Sequence, residues 1–228
     1  MIFYLFTASM AFTLEGIIDN HVYVGGIKNT SSPKTKNFWL GTDQWTVVLN
    51  PEMQLTALND AYLTVQEAKR DGKEIVVVCQ KSWLSDTIAT LGKSFGFHYL
   101  THKLPAGFLT NFDTLFSTIQ QMNEKKNFVM SDNFSKLTKK EQSMMKRYLW
   151  KIEKIYEGVK DLKKKPDLVV VVDGTALDGL VAELQTSKIS NVVLASTSFS
   201  KRWNLGNLAV INMQNQKSPI YVLQTLFS

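Results

Sequence analysis

The sequence predicts an α/β protein in which helices flank a parallel β-sheet and a helical hairpin is inserted. Three observations predict this fold class. Short apolar runs rich in β-branched residues recur along the chain, and segments with helical periodicity separate them. One long connection carries a heptad pattern and no strand. With 228 residues, 44% of them hydrophobic, the chain can bury a substantial core.

The predicted strands are near-continuous apolar runs, as is typical of strands buried on both faces of a sheet. They are Trp45–Leu49, Ile75–Cys79, Phe97–Leu100, Leu168–Val172, Val192–Ala195 and Leu208–Ile211. Helical patterns lie between them, which indicates parallel βαβ units. The predicted helices are Pro51–Arg70, Ser82–Phe95, Thr175–Ser187 and Ser218–Phe227.

Residues 108–165 contain no strand candidate and carry a stripe with heptad spacing, apolar apart from Glu141. The stripe comprises Phe108, Phe112, Leu115, Ile119 and Met122, then Glu141, Met144, Tyr148, Ile152, Ile155, Val159 and Leu162. Two such helices joined by a short polar loop predict an antiparallel coiled-coil hairpin. The chain then divides into a first part of the α/β domain with an N-terminal extension (1–107), the hairpin (108–165) and a second part (166–228).

The charge pattern indicates a polyanionic partner. The net charge is +6 and the pI about 9.2. Nearly all cations are lysines, because the arginines are only Arg70, Arg147 and Arg202. Lysines favour diffuse contacts to a phosphate backbone over bidentate base readout. The outer faces of the predicted hairpin are lysine-rich, which is typical both of a solvated helix surface and of a polyanion-binding one.

The string Asp173-Gly174-Thr175 follows a buried strand and resembles part of the D-x-D-G-T motif of a phosphatase superfamily. Val171 occupies the position of the nucleophile and cannot attack phosphorus. We therefore interpret Asp173 as a cap of the following turn or of the helix near Ala176. The alternative is an orphan α/β nucleotide-binding protein or phosphatase-like enzyme that uses the strand ends near Asp173 and Ser196. Glycine-rich phosphate-binding motifs are absent from the sequence.

No metal, cofactor or catalytic cysteine is expected. His98 and His102 are four residues apart, but their segment reads as a strand that runs into a loop, and no acidic residue is near them in the sequence. Cys79, the single cysteine, lies within an apolar strand and is interpreted as a small core residue. One cysteine allows no internal disulfide and indicates a reducing compartment.

The N-terminal segment MIFYLFTASMAF is apolar but too short for a transmembrane helix. It lacks the basic flank of a signal peptide and the arginines of an import presequence. We interpret it as a segment buried in this domain or in a partner, and we expect no membrane association.

Two segments in the first half of the chain resemble the ribosomal protein S2 family. Residues 99–112, YLTHKLPAGFLTNF, are similar to that family's Y-V-N-H-R-W-L-G-G-x-L-T-N-F, and residues 32–41, SPKTKNFWLG, to N-P-K-M-K-P-F-I-F-G. The matching residues are Pro33, Lys34, Lys36, Phe38 and Gly41, then Tyr99, His102, Gly107, Leu109, Thr110, Asn111 and Phe112.

The second half resembles the same family through F-x-x-L-x-K-K-E, K-L-E-K, G-I-K and P-D-x-x-x-V-x-D. The matching residues are Phe134, Leu137, Lys139, Lys140, Glu141, Ile152, Glu153, Lys154, Gly158, Val159, Lys160, Pro166, Asp167 and Asp173. The resemblance implies a flavodoxin-like sheet, and a structural role in the small ribosomal subunit without catalysis or a small-molecule substrate. The implied partners are ribosomal RNA, on which the hairpin lies, and neighbouring ribosomal proteins.

The RNA-binding residues are expected among the cations of the matching segments. The predicted hairpin residues are Lys139, Lys140, Lys146 and Arg147, and those of the loops are Lys34, Lys36 and Lys103.

The sequence departs from the family pattern at three places. The family's early V-H-F-G-H is blurred into HVYVGG at residues 21–26, where only His21 can be placed. The family's H-R-W-L-G-G is replaced by His102–Gly107, and its D-T-N by Ser196–Ser198. Lysine greatly exceeds arginine, as expected from an AT-rich genome, and the acidic C-terminal tail of the family is absent. These features predict a small subunit in the mitochondrion. A plastid or a bacterial cytoplasm is the alternative.

Overall fold

The structure is a computed structural model that describes residues 11–200 and 207–228. Within these ranges the chain forms eight strands: β1 (Val24–Ile27), β2 (Trp39–Asp43), β3 (Thr46–Leu49), β4 (Ile75–Cys79), β5 (His98–Leu100), β6 (Leu168–Val172), β7 (Ser190–Ala195) and β8 (Asn207–Val210). The same ranges hold seven α-helices: α1 (Leu14–Asp19), α2 (Pro51–Arg70), α3 (Ser85–Phe95), α4 (Phe112–Val129), α5 (Lys139–Tyr156), α6 (Asp178–Ser187) and α7 (Lys217–Phe227).

Five strands form a parallel sheet in the order β5-β4-β6-β7-β8. Counted along the chain, this order is 2-1-3-4-5, which is the flavodoxin-like arrangement. The predicted α/β fold class is therefore confirmed. The central strands pair in register from Ile75 opposite Leu168 to Cys79 opposite Val172. Every residue of β4 and β6 is buried, as their uninterrupted apolar sequence predicts.

The side chains of β4 and β6 alternate between two hydrophobic clusters, one on each face of the sheet. Val77 and Val170 belong to the cluster that includes residues of α2, α3 and α7. Val76 and Val169 belong to the cluster that includes α6 and the first turns of α4. Helices thus cover both faces, and the sheet is the middle of three layers.

The beginning of the described chain packs on the first of these clusters. Phe12 is 1% exposed, and its ring meets Tyr221 of α7 edge-on with the ring centroids 6.0 Å apart. Ile17 of α1 is also fully buried. The end of the apolar N-terminal segment is therefore buried in this domain, and residues 1–10 of that segment lie outside the described residues.

One predicted strand belongs to a different sheet. The sequence predicted Trp45–Leu49 as one of the parallel strands, but β3 pairs with β1 and β2 in a separate antiparallel sheet. A two-residue turn joins β2 to β3, and so short a connection allows only antiparallel pairing. Val47 and Leu49 are buried against Val210 of β8, whereas Trp45 in the turn is 68% exposed.

The helices begin close to their predicted positions. α2 spans the predicted range, and the side chain of Asn50 caps it by accepting a hydrogen bond from the N–H of Glu52 at 3.0 Å. α6 begins at Asp178 instead of Thr175, because the residues between form a turn. No helix within the described ranges combines the length and the apolarity needed to cross a lipid bilayer.

α4 and α5 are consecutive helices that contact each other through the ion pair of Lys126 with Glu153, whose N–O distance is 2.8 Å. α4 begins at Phe112 and not at Phe108, because Phe108 is buried in the preceding turn. The apolar stripe of α4 is buried as predicted, namely Phe112, Leu115, Ile119 and Met122. That residues 108–165 form an inserted coiled-coil unit stays a prediction.

In the first three turns of α5 the buried face is shifted by one residue from the predicted one, and Ile152 belongs to both faces. Met144 and Tyr148 were expected to be buried, but they are 63% and 41% exposed. Leu149 is buried in their place, with partly buried residues at steps of three and four around it, namely Gln142, Met145, Ile152 and Tyr156. The Gln142 amide donates hydrogen bonds to two carbonyl groups of the preceding loop, at 3.1 and 2.9 Å, which favours this rotation of α5.

The end of α5 meets the sheet at Gly158, in the short 3-10 helix Glu157–Val159. A Cβ atom on Gly158 would lie 2.2 Å from the carbonyl oxygen of Tyr99 in β5 and 2.5 Å from its ring. Only glycine allows two backbone segments to approach this closely. Val159 beside it is fully buried in the cluster that includes α6, so this close contact attaches the end of α5 to the sheet.

We predict that Gly158→Ala destabilises the protein by about 1–3 kcal/mol, because the added methyl group meets the backbone of β5. The matched control is Gly179→Ala in α6, where a Cβ atom has no neighbour within 4 Å. The control should be neutral or stabilising by about 0.5–1 kcal/mol. Urea unfolding measures both variants, and equal midpoints would contradict the close approach.

Candidate nucleic-acid interface

The first turn of α5 is built by a capping box. The Thr138 hydroxyl accepts a hydrogen bond from the N–H of Glu141 at 3.4 Å, and the Glu141 carboxylate accepts one from the N–H of Thr138 at 2.9 Å. Hydrogen bonds from the Thr138 hydroxyl and backbone lower the pKa of Glu141. Lys139 and Lys140 are the first two helical residues. Cations at the positive end of a helix dipole disfavour the helix, so helix stability does not explain these lysines.

One exposed face of α5 carries most of its positive charge. Residues three or four positions apart share a face, since each residue turns the helix by about 100°. The residues of this face are Lys139, Ser143, Lys146, Arg147, Trp150 and Lys154, all exposed. We call this set the basic face of α5. It brings together Lys139, Lys146 and Arg147 of the predicted site, and Lys140 lies at its edge.

Nothing in the described part of the chain neutralises these cations. No described carboxylate lies within 4.0 Å of the side-chain nitrogens of Lys139, Lys146 or Arg147. Glu153, at the border of the basic face, is paired with Lys126 of α4. The hydrogen bond that Lys126 donates to Glu153 raises the pKa of Lys126. The basic face therefore presents unbalanced positive charge to solvent.

The sequence prediction omits two residues of this face, Trp150 and Lys154. Trp150 lies four residues after Lys146, and Lys154 lies four residues after Trp150. This spacing places the three residues on one face of a helix, so the sequence did contain the signal. The rotation of α5 about its axis decides which of its residues face solvent. The heptad pattern placed the buried stripe at Tyr148, whereas the structure buries Leu149.

Lys34 and Lys36 lie on a different element, the short 3-10 helix Pro33–Phe38. Hydrogen bonds to the carbonyl group of Thr197 hold this helix against the loop after β7. The Lys34 ammonium donates to the carbonyl oxygen of Ser200 and so has a partner within the chain. Lys36 is exposed. The structure does not join these two residues to the basic face of α5.

Lys103 is exposed in the loop between β5 and α4. The carboxylate of Glu183 in α6 holds this loop by accepting hydrogen bonds from the N–H groups of Gly107 and Leu109, each at 2.8 Å. Gly107 has a φ of 77°, a left-handed conformation that favours glycine. Glu183 thus connects the start of α4 to the helix layer that covers the sheet.

A cleft of about 320 Å³ lies at the carboxyl ends of β6, β7 and β8, where open parallel sheets commonly bind ligands. The enzyme alternative would use this place. Thr175, Ser196 and Ser198 contribute hydroxyl groups to the cleft. The hydroxyl oxygen of Ser196 lies 3.1 Å from that of Thr175 and 2.7 Å from that of Ser198, so the three hydroxyls are satisfied by one another.

Asp173 is the carboxylate of this cleft, 5% exposed, and it is paired with Lys81 at an N–O distance of 2.9 Å. We expected Asp173 to cap the following turn or helix. Its carbonyl oxygen does close the turn by accepting from the N–H of Ala176 at 3.1 Å, but its side chain pairs with Lys81 and does not cap α6. The described residues that line the cleft include no histidine and no cysteine, and the one carboxylate among them, Asp173, is paired with Lys81.

The two histidines do not form a metal site in the described chain. His98 lies on β5, and His102 is exposed in the loop that follows. The Nε2 atom of His98 is 2.9 Å from a carboxylate oxygen of Glu74, a neighbour that sequence spacing does not reveal. Residues 11–200 and 207–228 contain no cluster of three or more histidine, cysteine, aspartate or glutamate side chains able to hold a metal ion.

Cys79 ends β4 and is fully buried. Burial raises the pKa of its thiol to about 11. The thiol therefore stays protonated at neutral pH, which excludes Cys79 as a nucleophile because the thiolate is the reactive form.

Comparison with known proteins links the chain to one family. The model of the family Ribosomal protein S2 matches residues 17–205. Similar proteins include the small ribosomal subunit protein uS2 of Picosynechococcus sp., which is 26% identical over 82% of this chain and 73% of its own length. The protein of the same name from Helicobacter hepaticus is 27% identical over 82% and 70% of the two lengths. The uS2 protein of Wolinella succinogenes is 28% identical over 82% of this chain and 69% of its own length.

We predict that a thiol reagent labels Cys79 slowly in the folded chain at pH 8 and rapidly in urea. With a pKa of about 11 only about one thiol in a thousand is ionised at pH 8, and burial blocks access as well. Cys79 is the single cysteine of the chain, so the signal reports on it alone. Raising the pH under folding conditions should increase labelling. Equal rates in the folded and unfolded protein would contradict the burial of this thiol.

Proposed function

The chain belongs to the ribosomal protein S2 family, and from this premise we propose that it is a structural constituent of the small ribosomal subunit that acts in translation. The relatives quoted above are named as small-subunit components. The proposed partners are small-subunit ribosomal RNA and neighbouring ribosomal proteins. The main observation in support of RNA binding is the basic face of α5. It is an exposed surface whose cations have no carboxylate partner in the described chain.

The chemistry of this face suits a phosphate backbone. Lysine and arginine side chains that contact phosphates release condensed counterions, which supplies most of the sequence-independent affinity for nucleic acid. Lys139 and Lys140 oppose the dipole of their own helix, so an external anion would relieve this cost. Because the cluster is mostly lysine, its contacts position the protein on RNA and do not read bases through bidentate hydrogen bonds.

The loop cations have a secondary place in this proposal. Lys36 and Lys103 are exposed and free to meet phosphates, whereas Lys34 would have to give up its bond to Ser200. Residues 108–165 would act as an arm inserted between the two parts of the α/β domain, 1–107 and 166–228. The arm carries the cations of the basic face of α5 and is attached to the sheet through Gly158.

The protein is not an enzyme. Its family is structural, and the strand-end cleft supports the same conclusion. Asp173 is neutralised by Lys81, and the hydroxyl of Ser196 is bonded to neighbouring hydroxyls. The alternative of a nucleotide-binding or phosphatase-like protein is therefore not favoured.

We propose the mitochondrial small subunit as the place of action. The support is the excess of lysine over arginine and the departure of residues 104–106 from the family pattern, as expected where the ribosomal RNA has itself changed. The relatives quoted above are bacterial, and a bacterial cytoplasm or a plastid is the alternative.

We expect the double substitution Lys139→Gln and Lys140→Gln to weaken the salt dependence of RNA binding. Each lost phosphate contact should reduce the slope of log Kobs against log salt concentration by roughly 0.7–0.9. Titration of the full chain with small-subunit ribosomal RNA at several salt concentrations measures this slope. The control pair Lys93→Gln and Lys217→Gln removes the same charge from exposed positions outside the basic face and should leave most of the slope intact. Equal slopes in the two double variants would show that the face is only solvated.

Cell fractionation tests both the function and the compartment. The chain should be recovered in small-subunit particles from purified mitochondria. Recovery in the soluble fraction, with measurable affinity for nucleotides, would overturn the ribosomal function. Recovery in small-subunit particles only from plastids or from a bacterial cytoplasm would overturn the compartment and leave the function standing.

A further inference from the structure

Trp150 is 64% exposed in the middle of the basic face of α5. Tryptophan is usually well covered in folded proteins, because its indole ring has a large apolar area. Lys146 and Lys154 lie one helical turn before and after it, about 6 Å along the helix axis. The Lys154 ammonium is 5.7 Å from the centroid of the indole ring. The exposed ring is thus framed by cations along the helix.

We propose that Trp150 is a stacking platform for an unpaired base of RNA. The inference rests on the proposed RNA-binding function and names the chemistry of the partner at this face. A cationic groove or stripe that tracks the phosphates, interrupted by an aromatic ring on which a base stacks, is the general form of single-strand recognition. In an A-form duplex the base faces are stacked on one another, so the partner is a loop, bulge or single-stranded end.

The surroundings of Trp150 favour a base over an apolar protein surface. Its neighbours on the basic face are cations and Ser143, so no continuous apolar area extends from the ring. By contrast, Met144 and Tyr148 line an apolar groove of about 360 Å³ elsewhere on α5. An apolar protein surface would fit that groove. An RNA with an unpaired base fits the basic face, because its phosphates match the cations and its base can stack on the indole ring of Trp150.

Two probes test the proposal with the full chain: a short adenine-rich single-stranded RNA and an uninterrupted RNA duplex of similar length. Trp150→Ala should weaken binding of the single strand about 5- to 150-fold, since stacking on an aromatic side chain contributes this much per base. Trp150→Phe, which keeps an aromatic face, should retain most of the affinity. Binding of the duplex, and the salt dependence of both complexes, should stay as in the unchanged protein.

Trp45→Ala is the matched control, because Trp45 is 68% exposed and lies in the β2–β3 turn outside the basic face. This variant should bind both probes as the unchanged chain does. Unfolding midpoints of the Trp150 variants should also be unchanged, since the ring is exposed. A Trp150→Ala protein that binds the single strand with full affinity overturns the proposal, and so does an equal loss for single strand and duplex.

Recovery of the variants in small-subunit particles tests whether a neighbouring protein, and not an RNA base, covers the indole of Trp150. If Trp150→Ala binds RNA normally but no longer enters particles, a neighbouring protein covers the indole and the stacking proposal is wrong.

The lysine variants separate this inference from the function on which it rests. If their salt slope falls as expected while Trp150→Ala has no effect, only the stacking role fails. If neither the lysines nor Trp150 affect RNA binding, both the RNA-binding function of this face and the stacking role fail.

Discussion

The architecture depends on the burial of β4 and β6 on both of their faces. Their valines contribute to two hydrophobic clusters, so helices must cover the sheet on both sides. Parallel pairing also requires each connection to cross over the sheet before the next strand begins. The longest of these connections runs from β5 to β6 and carries α4 and α5. Phe112 near its start and Leu162 near its end are buried in the same cluster, which attaches the connection to the sheet at both ends.

This attachment determines what α5 presents to solvent. Leu149 is buried, and Gly158 brings the end of the helix against the backbone of β5. The opposite side of the helix is left exposed, and there the cations are concentrated. The neighbouring acidic residue Glu153 is committed to Lys126 of α4, so it does not cancel their charge. Packing between apolar residues thus produces a directed electrostatic surface, which is the property that RNA binding requires.

The same sheet also creates a cleft at the carboxyl ends of its strands, the position at which many folds of this class bind substrates. Here the cleft holds one carboxylate, and an ammonium group of the same chain neutralises it. Hydroxyl groups beside it are bonded to one another. The position of a cleft in a fold does not by itself define a function, which has to be argued from the residues that are present.

The sequence by itself determined the parallel sheet, the limits of α2 and the exposed lysines at the start of α5, because apolar runs, caps and charge clusters are local properties. Tertiary structure decided three further points. A two-residue turn moved β3 into an antiparallel sheet, the pairing of Asp173 with Lys81 joined residues from two strand ends, and the rotation of α5 buried Leu149 and exposed Trp150. Two apolar stripes on α5, one that contains Tyr148 and one that contains Leu149, are offset by one residue and are similar in apolar content. Only contacts with residues distant along the chain select which of the two is buried.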